Sequence, residues 1–211
     1  MKKEEILKKV DYTLLKQTAT WEDIKTLCNE AIKLGTASVC IPPYFVKKAK
    51  EYVKDKMKVC TVIGFMHGYT TTYAKLYETM EMIKNGADEI DMVMNICAFK
   101  EKDYEYVLNE INLIKNACKG KILKVIVETC LLTEEEKVKV CELISKSNAD
   151  YIKTSTGFST AGAQIEDIEL FKKFLSADKK IKASGGIRTY DQAEEMIKAG
   201  ASRIGTSGLG F

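Results

Sequence analysis

The stretch Asn148-Ala149-Asp150-Tyr151-Ile152-Lys153 decides how this chain reads. It closes a Lys/Glu-rich helical pattern, offers Asn where a left-handed C-cap residue belongs, and enters an apolar strand that carries a lysine. Three other stretches share its form: Gly35-Thr36-Ala37-Ser38-Val39, Gly86-Ala87-Asp88-Glu89-Ile90 and Gly200-Ala201-Ser202-Arg203-Ile204. Their first residues, at 35, 86, 148 and 200, lie 51, 62 and 52 positions apart. Each interval holds two strand–helix units. A two-unit repeat used four times is what a barrel whose alternate strands share layers produces.

The rest of the chain agrees. Apolar, β-branched runs at Val10–Thr13, Ser38–Ile41, Val59–Phe65, Glu89–Met94, Leu123–Glu128, Tyr151–Thr154, Ile181–Ser184 and Arg203–Thr206 alternate with helical patterns near 22–34, 43–55, 73–85, 103–118, 134–147, 165–175 and 190–199. Thr133-Glu134-Glu135-Glu136 starts a helix with a capping box, and Pro42-Pro43 ends a strand. Strands and helices alternating through short loops make right-handed βαβ units and a parallel sheet. The expected fold is α/β, a single (β/α)8 TIM barrel domain over residues 1–211, with a short N-terminal helix and little or no eighth helix. A doubly wound open sheet is the alternative.

Composition narrows the function. The 211 residues are 45% hydrophobic and 30% charged with a net charge of +3, and no run of 18 apolar residues occurs. The N-terminus MKKEEILKKVDY lacks the apolar core of a signal peptide, so a cytoplasmic location is expected. The basic residues are lysines apart from Arg188 and Arg203, with no aromatic–basic stripe, which argues against nucleic-acid binding. One histidine, His67, leaves little room for a zinc hydrolase or a His-based triad. The seven cysteines form no C-x-x-C pair and read as reduced core thiols.

The repeat sets a register. The fifth residue after each Gly or Asn is Cys40, Asp91, Lys153 or Gly205. Strand side chains alternate faces, so the four point the same way; two are charged, which places them inside, toward the C-terminal mouth. Twenty-nine residues after Lys153, one βα unit on, comes Lys182 in Ile181-Lys182-Ala183-Ser184-Gly185-Gly186. Lysines on adjacent strands stand about 4.8 Å apart. Two cations about 4 Å apart repel by about 4 kcal/mol at an effective dielectric near 20, or about three pKa units. That brings one amine from about 10.4 toward the neutral form that Schiff-base chemistry uses. Snorkelling lysines paired with carboxylates are the structural alternative.

Gly185-Gly186 and Gly205-Thr206-Ser207-Gly208, at the ends of strands seven and eight, have the make-up of a phosphate grip. Arg188 is placed to touch a phosphate or to pair along the following helix. Asp91 beside an amine stays ionised and can relay protons through water. Asp11 reaches the mouth or caps a turn, and Glu128 ends strand five without an assignable partner. Cys40 is expected to line the mouth, and His67 to be a surface residue.

At these residues the chain resembles the deoxyribose-phosphate aldolase family of class I aldolases. The resemblance runs through Asp11-Tyr12-Thr13-Leu14-Leu15-Lys16, Ala37-Ser38-Val39-Cys40, Val59-Cys60-Thr61-Val62-Ile63-Gly64-Phe65, Glu89-Ile90-Asp91-Met92-Val93, Leu123-Lys124-Val125-Ile126-Val127-Glu128-Thr129, Lys153-Thr154-Ser155-Thr156-Gly157 and Lys182-Ala183-Ser184-Gly185-Gly186-Ile187-Arg188. It implies a (β/α)8 barrel that reversibly cleaves 2-deoxy-D-ribose 5-phosphate to D-glyceraldehyde 3-phosphate and acetaldehyde, without metal or organic cofactor. By the same resemblance Lys153 is the Schiff-base lysine, Lys182 the lysine that depresses its pKa, and Asp91 the acid of the proton relay. Gly157, Gly185, Gly186 and Ser207 are the phosphate contacts it implies, with Asp11 and Cys40 near the substrate.

The chain departs from the family pattern in four places. Tyr12 replaces a common His, Pro42 a frequent Asn, and Phe158 a Lys that some members carry after Thr-Gly. Some members also use a C-terminal tail ending in Tyr, whereas this sequence ends at Phe211. The core chemistry is expected to be retained, and the departures leave its rate and phosphate affinity open. A Schiff-base barrel aldolase acting on a keto-sugar phosphate, or a non-catalytic phosphosugar-binding barrel, stays open as an alternative. The expected partners are small sugar phosphates and aldehydes, with a homodimer through outer helices compatible with the pattern.

Overall fold

The computed structural model describes residues 1–210, so the expectation attached to Phe211 lies outside the described residues. Eight parallel strands close into one barrel in chain order, with β8 pairing back on β1. They are β1 (Val10–Thr13), β2 (Ser38–Ile41), β3 (Val59–Ile63), β4 (Glu89–Val93), β5 (Ile122–Ile126), β6 (Tyr151–Lys153), β7 (Lys180–Ser184) and β8 (Arg203–Thr206). Around them run α1 (Lys3–Leu7), α2 (Trp21–Leu34), α3 (Val46–Val53), α4 (Thr72–Lys84), α5 (Ile96–Lys100), α6 (Tyr104–Ala117), α7 (Glu134–Lys146), α8 (Ile165–Phe174) and α9 (Tyr190–Ala199). The open-sheet alternative is excluded by the closure, and no helix follows β8 among the described residues.

The four repeated joints behave alike. The third residue of each donates its backbone N–H to the strand before: Ala37 to Val10, Asp88 to Val59, Asp150 to Leu123 and Ser202 to Ile181, at 2.8–3.0 Å. Two of these residues add a carboxylate, as Asp88 accepts the N–H of Val59 at 2.9 Å and Asp150 that of Leu123 at 2.7 Å. Gly35, Gly86 and Gly200 have positive φ. Asn148 does not, which corrects the expected left-handed cap there. Ser147 instead leaves α7 in an extended conformation, and Asn148 donates its N–H to Asn112 Oδ1 at 2.8 Å. Side-chain capping from the neighbouring helix takes the place of a left-handed turn.

Two short elements escape the sequence pattern, α5 and a 3-10 turn at Thr129–Leu131. Five or fewer residues cannot display a helical period, and Asn95 alone marks the start of α5 by accepting from the Ala98 N–H at 3.1 Å. The capping box at Thr133 and Glu136 is present as expected.

Strand alternation sorts the core. Val39, Val59, Ile90, Met92, Val125, Ile152 and Ile204 are buried in the apolar shell shared with the helices. The opposite faces fill the lumen in layers contributed by alternate strands: Ser38, Glu89, Tyr151 and Arg203; then Asp11, Cys60, Lys124 and Lys182; then Cys40, Asp91, Lys153 and Gly205; then Thr13, Val62, Ile126 and Ser184. The third layer is the set the repeat singled out. Gly205 belongs there for want of space, because a Cβ would sit 2.8 Å from Ser184 Cβ and 3.1 Å from Lys182 Cε. Gly205→Ala is therefore expected to lower stability by about 1–3 kcal/mol in urea unfolding.

Candidate active site

A polar cluster occupies the lumen where most barrels are apolar. Asp91, fully buried on β4, accepts from Lys153 Nζ at 2.8 Å and Lys182 Nζ at 2.7 Å on Oδ2. Its Oδ1 accepts from Lys124 Nζ at 3.0 Å and the Cys60 thiol at 3.2 Å. Both oxygens are thus saturated. Lys153 and Lys182 are direct register partners on β6 and β7, as their spacing predicted. They do not face each other bare: the Asp91 carboxylate stands between them and offsets most of the repulsion the sequence alone suggested.

Below this pair, Asp11 accepts from Lys182 Nζ at 2.5 Å, Arg203 at 2.6 Å and Ser38 Oγ at 2.7 Å. Glu89 pairs with Lys124 at 2.5 Å and with Arg203 at 2.9 Å. Burial alone would drive Asp11, Asp91, Lys124 and Lys182 toward their neutral forms, yet their partners win. The carboxyls of Asp11 and Asp91 are held well below the ordinary range against desolvation by surrounding Lys124 and Lys182, with Arg203 adding to Asp11 and Lys153 to Asp91. Lys182 is held above its ordinary value by Asp11 and Asp91, and Lys124 by Asp91, Asp11 and Glu89 with Cys60, each against its own burial. Four cations, Lys124, Lys153, Lys182 and Arg203, thus meet three carboxylates, Asp11, Glu89 and Asp91.

Above the cluster opens a cavity of about 240 Å³ with Lys153 on its floor. Gly157, Gly185, Gly186 and Ser207 all line it. Gly185 is needed twice over: its φ is +87°, and a Cβ on it would lie 3.0 Å from Gly162 Cα. Asp11 and Cys40 do not line the cavity. Both are fully buried, which corrects their placement at the substrate. Asp11 lies a layer below Lys153, and the short Cys40 side chain, though level with Lys153, packs against Cys60 and Val62. Arg188 is exposed at the rim and has no ion pair among the described residues, so it faces the cavity rather than pairing along α9. His67 is exposed and stacks on Tyr69 with ring centroids 5.1 Å apart.

Glu128 has a partner that only the fold reveals. In a left-handed conformation (φ +53°) just past β5, it accepts from the Thr156 hydroxyl at 2.5 Å and the Thr156 N–H at 3.2 Å. It thereby anchors the loop that carries Gly157. Sequence reasoning missed Lys124, Glu89 and Arg203 as lumen residues. A step of two along β4 from Asp91 and along β8 from Gly205 leads to Glu89 and Arg203. Lys124 carries the same signal as Lys153, a lysine between apolar strand residues. Metal-like donor sets occur at Cys40, Cys60 and Asp91 and at Asp11, Cys60 and Glu89, with ligand atoms within 4.8 Å. Each carboxylate in them is already paired with Lys or Arg in the space an ion would fill.

A closed parallel barrel with a cavity at its C-terminal mouth has the architecture of a barrel enzyme, and here a buried, carboxylate-flanked amine lies at the floor of that mouth. The family model of the DeoC/LacD family aldolases matches residues 6–210, and the chain belongs to this family. It is 55% identical over 204 residues to the deoxyribose-phosphate aldolase of Clostridioides difficile (strain 630), covering 97% of this chain and 93% of that one. Among solved structures, the aldolase QR15 superposes with a TM-score of 0.93 at 42% identity, over 96% of this chain and 91% of that one. The tetrameric deoxyribose phosphate aldolase from Aeropyrum pernix gives 0.88 at 31% identity, over 98% and 88%.

Asp91→Asn leaves three amines facing a neutral amide, and stability should fall by about 3–5 kcal/mol in urea unfolding. The stability that Asp11 and Asp91 contribute is present above their unfolded pKa of about 4 and is lost as pH falls through the lower folded values. That of Lys124 and Lys182 is present below about 10.4 and is lost as pH rises through the higher folded values. Unfolding free energy measured against pH should show a plateau between, with the acid limb shortened in Asp91→Asn.

Proposed function

We propose that this chain reversibly cleaves 2-deoxy-D-ribose 5-phosphate to D-glyceraldehyde 3-phosphate and acetaldehyde through a Schiff base on Lys153. The observation that carries the reading is the position of Lys153: its amine alone among the lumen cations lines the mouth cavity. Lys124, Lys182 and Arg203 are locked in ion pairs below.

The unprotonated amine adds to the C1 aldehyde, and the carbinolamine loses water to give a protonated imine. The C3 hydroxyl then gives up its proton, the C2–C3 bond breaks, and its electrons move into the imine to form an enamine. D-Glyceraldehyde 3-phosphate departs. The enamine carbon takes a proton, water adds to the imine, and acetaldehyde leaves with Lys153 restored. Asp91 and Lys182 serve the proton transfers. Once Lys153 becomes an imine it keeps one N–H in place of three, and Asp91 Oδ2 regains room to accept from a water or the C3 hydroxyl. Lys182, held protonated, donates from the other side.

The reading takes residues 1–211 as one barrel domain, supported by the pairing of β1 with β8. A homodimer in the cytoplasm belongs to it as well. Self-association is supported by Tyr73, Tyr77 and Met80 exposed along one face of α4. None of the helices in the described residues is long and apolar enough to cross a membrane.

Treatment with acetaldehyde and borohydride should add one reduced two-carbon group to Lys153, read by intact mass and peptide mapping. Lys153→Ala should show none. An unmodified wild-type chain, or equal labelling in Lys153→Ala, would overturn the assignment.

A further inference from the structure

Three cations line the mouth cavity, Lys16, Lys153 and Arg188, and no carboxylate does. Lys153 is the reacting amine on the floor. The other two are exposed, stand on different loops, and make no ion pair among the described residues. Lys16 comes from the loop after β1, which a backbone bond from the Ala19 N–H to the Lys16 carbonyl (3.1 Å) turns toward α2. Closure of the barrel sets Tyr12 beside Thr206, so this loop runs next to the one carrying Ser207 although some 190 positions separate them in the chain. The carboxylate that Lys16 influences, Asp23, already accepts from the Thr20 N–H at 2.8 Å and the Thr20 hydroxyl at 2.7 Å. Beyond Lys153 itself, the loop after β6 brings no charge to the cavity. Phe158 stands there, its ring edge-on to Phe65 at 5.4 Å.

We propose that Lys16 is the second cation of the phosphate grip, opposite in kind to Arg188, and sets the preference for a phosphorylated over an unphosphorylated sugar. The proposal rests on the functional reading above. A phosphate dianion at the glycine turns is met by the planar fork of Arg188 and by a point charge on a flexible stem from the β1 loop. The β1 loop thus supplies the charge that Phe158 withholds from the β6 loop. Both cations are solvent-exposed, so salt weakens their pull.

The test compares kcat and KM for 2-deoxyribose 5-phosphate and for 2-deoxyribose in wild type, Lys16→Ala, Lys16→Arg and, as a distant charge control, Lys33→Ala. Lys16→Ala should raise KM for the phosphorylated sugar about tenfold at low salt, with the change in KM rather than kcat. The preference for the phosphorylated sugar should fall by the same factor, and Lys16→Arg should recover most of it. Equal changes for both sugars, or a change no larger than in Lys33→Ala, overturns the proposal. Calorimetry with inorganic phosphate gives a readout independent of turnover. Weaker phosphate binding in Lys16→Ala, alongside a wild type that cannot cleave the sugar phosphate, would retire the functional reading and keep Lys16. Equal phosphate binding by both would retire Lys16 whatever the activity.

Discussion

One carboxylate organises this barrel. Asp91 receives Lys153 and Lys182 on one oxygen and Lys124 and the Cys60 thiol on the other. Three amines from three strands therefore converge on a group from a fourth. In a fully buried lumen an unpaired charge costs several kcal/mol, so these strands cannot slip in register without exposing one. The same contacts that satisfy the interior hold Lys153 and Lys182 side by side. In the proposed reaction, stability and chemistry depend on the same few atoms.

The lumen is graded along its axis. In its lower layers Asp11, Glu89, Lys124 and Arg203 are buried and mutually paired. Lys153, one layer below the rim, is 3% exposed and is the amine that reaches the mouth. Above it the glycine turns of β6 and β7 pass within van der Waals distance, and Glu128 fixes the first of them through Thr156. Positive φ at a glutamate carries a local strain of about 1–2 kcal/mol, which the two bonds to Thr156 offset.

Much of this was legible along the chain. Helix caps, the alternation of apolar runs and the four joints point to the barrel, because each rests on contacts among near neighbours. The register from Cys40 to Gly205 places Asp91 and Lys153 in one layer by counting alone, since strand side chains alternate with a period of two. What counting could not supply is the pairing across the lumen. Nothing near Lys124 or Arg203 in sequence announces that they meet Glu89, and Asn148 is capped by Asn112 from another helix. Asp11 looked like a residue of the mouth because it ends an apolar run, yet its layer lies beneath the floor.

By itself, then, the sequence determined the barrel, its strand register and the two lysines one βα unit apart, all of them properties of local periodicity and spacing. Its resemblance to the deoxyribose-phosphate aldolases pointed to the reaction. Only the tertiary structure decided which charges are paired, which amine faces the cavity and which loops share the mouth. Those follow from closure of β1 on β8 and from distances of a few ångströms between residues as many as 192 positions apart, as for Arg203 and Asp11. Electrostatic energies in a buried lumen depend on such distances, and no local pattern encodes them.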